Sequence, residues 1–200
     1  MFNLRKLAAL GCAALLTLST HTAIIDAAVA NQPRDQYSTN EVVDAGHQFF
    51  GATSGSLATL VERVVGEFGQ PNGYIIGQEA SGAIVGGLRY GEGRLFTKNE
   101  GDRPVFWQGP SIGWDLGGDG DRTMMLVYDL DTVEAIYRRF GGVDGSAYMI
   151  GGLGMTVLAH NKRGTGRTMY VVPIRTGIGA RLGVNVGYLK FTPRPTWNPF

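Results

Sequence analysis

Cysteine is almost missing from this chain: 200 residues hold one, Cys12, and it lies inside an N-terminal segment with the marks of a removable leader. If that segment leaves, disulfides, thiolate metal sites and a cysteine nucleophile are all excluded. Histidine is nearly as scarce. Only His47 and His160 lie beyond the leader, in very different segments, so neither a paired-imidazole metal site nor a compact histidine-centred triad is spelled out. Charge of one sign is lacking too. The 18 Lys and Arg face 17 Asp and Glu; Arg5, Lys6 and Asp26 belong to the leader, which leaves the remainder electrically neutral. Binding to nucleic acid by counterion release needs a basic surface, so a nucleic-acid partner is excluded. No long hydrophobic run is present either. The apolar stretch Leu7 to Leu18 falls short of the ~20 residues a spanning helix requires, and no transmembrane segment is expected after the leader.

The leader has a defined pattern. Arg5 and Lys6 precede the apolar stretch, and Ala28-Val29-Ala30 offers a small-x-small cleavage site. Cleavage near Ala30 and export to the periplasm are expected, with residues 1–30 as signal peptide, 31–37 as a flexible tether containing Pro33, and 38–200 as a single domain. Lipidation at Cys12 would leave only Leu7 to Leu10 as its hydrophobic region, which is too short.

Glycine is abundant where cysteine is not. The chain has 31, more than twice the usual share of about 7%, without collagen-like triplets or low-complexity tracts. These glycines punctuate runs of β-branched and aromatic residues between Gly73 and Gly118 and again between Gly145 and Gly187. Glycine inside a strand marks bulges, sharp bends or close approach of another backbone. The fold class expected is therefore α+β, mainly β: a small glycine-rich antiparallel β-barrel with short flanking amphipathic helices.

The helices follow local signals. Ser38-x-x-Glu41 forms a capping box for a helix near 41–50 that Gly51 stops. Leu57, Leu60, Val61, Val64, Val65 and Phe68 repeat at helical spacing over 57–68, with Gly69 and Pro71 beyond. Asp131-x-x-Glu134 predicts a third helix near 132–140, with Val133, Ile136, Tyr137 and Phe140 on one face. Strands are expected over Gly73–Gly77, Ala83–Gly91, Gly93–Thr97, Val105–Trp107, Thr123–Tyr128, Ala147–Ala159, Thr168–Ile174 and Ala180–Thr192, with Gly109-Pro110 as an interruption.

Candidate chemistry is thin. Asp115, Asp119 and Asp121 invite a calcium reading but lack the terminal bidentate glutamate and the loop spacing, so a hairpin turn is the better account. His160 abuts a turn and reads as a solvated loop residue. Gly91-x-Gly93 and Gly177-x-Gly179 lack the third glycine of a dinucleotide fingerprint and read as tight turns and kinks. No catalytic residue, metal ligand or cofactor is assigned. A ligand-binding mouth is the one site the residue types support: Arg89, Arg94, Arg175 and Arg181 in or beside strands, with the rings of Trp107 and Trp114, could grip an anionic headgroup or stack on a glycan. An outer-membrane barrel would need closing strands of about 9–11 alternating residues. Pro193, Pro195 and Pro199 interrupt the last stretch, and the amphipathic helices have no place in such a wall.

The run Gly82-Ala83-Ile84-Val85-Gly86-Gly87-Leu88-Arg89-Tyr90-Gly91-Glu92-Gly93, followed by Trp107, Gly113, Gly117 and Leu126-Val127-Tyr128, resembles the periplasmic envelope-integrity family EipA, long a domain of unknown function. The likeness extends from about Ser38 to Trp197. Together with Gly142-x-x-Gly145 and Gly151-Gly152-x-Gly154, the glycine spacing is more distantly similar to lipid-binding SYLF domains. The resemblance implies an asymmetric small barrel that supports the cell envelope without established catalysis, through an envelope lipid, glycan or protein. It transfers no catalytic residue. The basic lipid-binding helix of some SYLF proteins has no counterpart, since 57–68 carries one arginine against two glutamates. The alternatives are a SYLF-like barrel binding lipid or glycan, and a hydrolase of envelope polymers that would draw on Asp115, Asp119, Asp121 or His160.

Overall fold

The structure, a computed structural model, describes residues 35–51, 55–82, 87–111, 121–176, 187–196 and 198. Two helices come first, α1 (Thr39–Phe50) and α2 (Gly55–Phe68). The α1 start is the expected capping box: the Glu41 backbone N–H donates to Ser38 Oγ at 3.3 Å and the Ser38 N–H donates to Glu41 Oε2 at 2.7 Å. Gly51 ends the helix at φ 74°, where a residue without a Cβ carries no steric penalty.

Among the described residues ten strands follow: β1 (Gly73–Gly82), β2 (Gly87–Phe96), β3 (Arg103–Ser111), β4 (Asp121–Tyr128), β5 (Arg139–Gly142), β6 (Tyr148–Ile150), β7 (Leu153–Met155), β8 (Leu158–Asn161), β9 (Thr168–Thr176) and β10 (Tyr188–Thr192). All pairings are antiparallel. The order β4-β1-β2-β3-β10-β5-β8-β9 returns to its start through β4–β9, which closes an eight-stranded barrel, and the β6–β7 hairpin extends the partner edge of β9. The expected small antiparallel barrel with flanking helices is therefore what forms.

Strand alternation sorts side chains into two cores. Inside the barrel, Ile75, Leu95, Val105, Trp107, Met125, Val127, Phe140, Val171, Leu189 and Phe191 pack on one another. Outside it, Met124, Leu126, Val172 and Ile174 of β4 and β9 meet Val42 of α1 and Leu57, Leu60, Val61 and Val64 of α2. The helical stripe thus covers one flank of the barrel, as a 3.6-residue repeat of apolar side chains requires.

Several expectations need correction. Residues 132–140 do not form an α-helix; Val133–Ile136 is a single 3-10 turn and Phe140 belongs to β5. Thr132, not Asp131, occupies the cap and makes no side-chain cap bond. Asp131 is drawn away by Lys162 Nζ at 2.6 Å and Arg167 Nη1 at 3.3 Å, while Glu100 Oε2 accepts the Val133 N–H at 2.9 Å. Pairing of Phe140 with Leu189 then outweighs a weak local helix signal. Gly91-Glu92-Gly93 is no turn but the middle of β2, and Gly109-Pro110 does not interrupt β3. The predicted Ala147–Ala159 strand is three short ones, broken at the positive-φ pair Gly151-Gly152 and again at Thr156-Val157. His160 lies in β8 rather than in a loop, and Tyr37 of the expected tether is fastened by its N–H to the Pro71 carbonyl at 2.8 Å. Residues 1–34, 112–120 and 177–186 lie outside the described residues, and with them the leader, Asp115, Asp119 and Gly177-x-Gly179.

Glycine permits the curvature at one crossing above all. Gly77 of β1 pairs with Gly93 of β2, and a methyl group on either would run into the opposite backbone; one on Gly91 would overlap the Trp107 indole. Gly91→Ala should therefore lower stability by about 2 kcal/mol or more, whereas Gly66→Ala, on the exposed side of α2 with open space around it, should raise it by up to ~1 kcal/mol. Urea denaturation of the two variants beside wild type checks both signs.

Candidate functional site

Inward positions on β1 run Ile75, Gly77, Glu79; on β2, Leu95, Gly93, Gly91, Arg89; on β3, Val105, Trp107, Gly109. The cross-strand row Glu79–Gly91–Trp107 places a carboxylate and an indole either side of a glycine. With no side chain at Gly91, the indole lies across β2 and its Nε1–H donates to Glu79 Oε2 at 2.7 Å. Arg175 of β9, paired with Thr123 of β4, brings Nε to Glu79 Oε1 at 3.0 Å and Nη2 to Oε2 at 3.3 Å. Arg89 adds its Nη1 at 3.6 Å from Oε1. All four groups are largely shielded from water, with Glu79 6% and Trp107 1% exposed.

Burial pushes the Glu79 carboxyl up, but the Arg175 and Arg89 charges and the hydrogen bonds from Trp107 and Arg175 outweigh it and hold the group below its ordinary value of 4.5. The carboxylate is thus ionised and fully engaged. It is a counterion and a strand tie, poorly suited to taking up a proton near neutrality.

The residues singled out in the sequence separate into three groups. Arg89, Trp107 and Arg175 converge as a mouth would require, but onto an acid of the same chain on the inward side of the barrel. Arg94 does not join them; it faces outward, 57% exposed, with Nη1 3.9 Å from Asp102. Trp114 and Arg181 lie outside the described residues. Glu79, the hub, was missed. Its signal was an acid two positions from Gly77 and four from Ile75, on the apolar side of a strand. His160 Nδ1 meets the Arg139 carbonyl oxygen at 2.9 Å, and its ring lies 5.6 Å from that of Phe140. Neither neighbour is an acid or a nucleophile.

A second feature lies on the outer face of the same strands. Gln78, Tyr90, Glu92, Phe106 and Gln108 line a groove of about 290 Å³ walled by Pro195 and Thr196 of the C-terminal segment. Gln108 is 1% exposed and its Oε1 accepts no hydrogen bond. Among the described residues no helix is long and apolar enough to cross a membrane.

Closed topology, two helices on one flank, and an apolar cluster beside an ion cluster among the inward residues define a class: a small closed antiparallel β-barrel. The chain belongs to the envelope integrity protein A family, whose model matches residues 35–200. It is similar to a crystal structure of a beta-barrel-like, uncharacterized protein from Brucella abortus, at 60% identity and a TM-score of 0.74, over 83% of this chain and 99% of that one. No curated protein matches.

Glu79→Gln should cost ~3–5 kcal/mol, because it strands two buried guanidinium groups. The pH dependence has a defined sign. A folded-state value lowered from 4.5 means that the Glu79 contribution is complete above that value and is lost as pH falls through the lowered one. Urea midpoints from pH 7 to pH 3 should accordingly drop more steeply for wild type than for the variant; parallel profiles would refute the assignment.

Proposed function

We propose that this chain is exported, loses residues 1–30 and supports the cell envelope from the periplasm as a non-catalytic binding protein. Membership of the envelope integrity protein A family supports the envelope role. The leader pattern of Arg5, Lys6, the apolar stretch and Ala28-Val29-Ala30 supports export.

The observation that carries the binding reading is the commitment of Arg89 and Arg175 to Glu79. Arg89 and Arg175 are already matched to an internal carboxylate, which leaves them less able to grip an anionic ligand. We then place recognition on the outer surface, where Gln78, Tyr90, Glu92, Phe106 and Gln108 line the groove over β1, β2 and β3. Catalysis has less support. His160 is engaged by a backbone carbonyl, and the buried acid is held ionised by its partners.

A deletion strain should become sensitive to detergent, cell-wall antibiotics and osmotic stress, and the intact chain should restore it from the periplasmic fraction with Asn31 at its N-terminus. His160→Ala should restore it equally. Ordinary resistance of the deletion strain would remove the envelope role; a folded His160→Ala protein that fails to complement would return a hydrolase to favour.

A further inference from the structure

The groove beside the C-terminal segment has a composition that selects among ligands. Because β1, β2 and β3 alternate, the residues opposite the inward set form a small grid on the outside: Gln78, Glu92 and Phe106 in one row, Ala80, Tyr90 and Gln108 in the next. The first row is in register across three strands, as is the second. Pro195 and Thr196 stand over one side.

We propose that this groove binds an uncharged saccharide; the inference deepens the reading of the chain as an envelope-binding protein and rests on it. Two ring faces, Phe106 and Tyr90, suit the C–H faces of a pyranose. Two carboxamides and one carboxylate, from Gln78, Gln108 and Glu92, supply the mixture of donors and acceptors that hydroxyl groups need. Gln108 supplies the pointed observation: it lines the groove, its carboxamide oxygen is buried and accepts no hydrogen bond, and rotation of the amide would turn that unfilled acceptor toward a ligand hydroxyl.

The same residues argue against the other envelope ligands. No lysine or arginine is among the described lining residues, and Glu92 opposes a phosphate or carboxylate headgroup. The volume, about 290 Å³, is at the small end for ligand sites and suits a short glycan segment rather than a lipid.

The test is a titration of the isotopically labelled mature chain, followed by amide NMR, with two uncharged saccharides, chitotriose and maltohexaose. Saturable shifts should centre on Tyr90, Phe106 and Gln108 with at least one of them, and Gln108→Leu and Glu92→Gln should each weaken binding by about fivefold. Gln108→Leu should also unfold at a higher temperature than wild type, since it removes an unsatisfied buried acceptor. A lower midpoint would make Gln108 a structural group and overturn its role. The absence of saturable shifts with both saccharides, or affinity unchanged in both variants, would overturn the site. So would shifts at these residues with phosphatidylglycerol vesicles alone, which would assign the groove to lipid. A resistant deletion strain would remove the envelope role without altering this titration, and an empty groove would leave that role standing.

Discussion

One carboxylate, two guanidinium groups and one indole share the barrel interior, and none of the four is tolerable there without the others. Glu79 alone would be a buried charge without a partner; Arg89 and Arg175 alone would be two, and Trp107 would hide a donor from water. Their contacts tie β1, β2, β3 and β9 together in one place. Register follows from it. A slip of one residue in β2 would turn Arg89 outward and replace Gly91 by a side chain against the indole, so the ion cluster and the glycine row specify the same alignment.

The cluster also divides the molecule by role. Towards the Ile75, Leu95 and Met125 level the interior is apolar, with Phe140 and Phe191 stacked edge to face at 5.4 Å. On the outside, α1 and α2 cover β4 and β9, while β1, β2 and β3 present Gln78, Tyr90, Glu92, Phe106 and Gln108 to the groove. Inside, the polar groups meet one another across strands, while those of the outer face lie along the groove.

Legibility in the sequence followed the range of the interactions. The capping box Ser38-x-x-Glu41, the stripe from Leu57 to Phe68 and the stops at Gly51 and Gly69 were readable because each is closed within a few residues. The segment after Asp131 shows the same grammar and misleads. Lys162 and Arg167, distant in sequence, take its cap, and β10 takes its apolar residue. Gly91-x-Gly93 misled in the opposite way: its glycines answer to the backbone of β1 and to the ring of Trp107, which no local pattern displays.

The amino-acid order by itself determined that this chain has no cysteine beyond Cys12, no charge excess for nucleic acid, two amphipathic helices and a set of short glycine-bent strands. Those properties depend on composition and on neighbours along the backbone. Which arginines meet, and what they meet, was decided only by closure of the barrel, because Glu79 and Arg175 are 96 residues apart and touch through strand pairings that no window spans. Tertiary structure thus joined three of the candidate ligand-gripping residues, Arg89, Trp107 and Arg175, into an internal brace around Glu79.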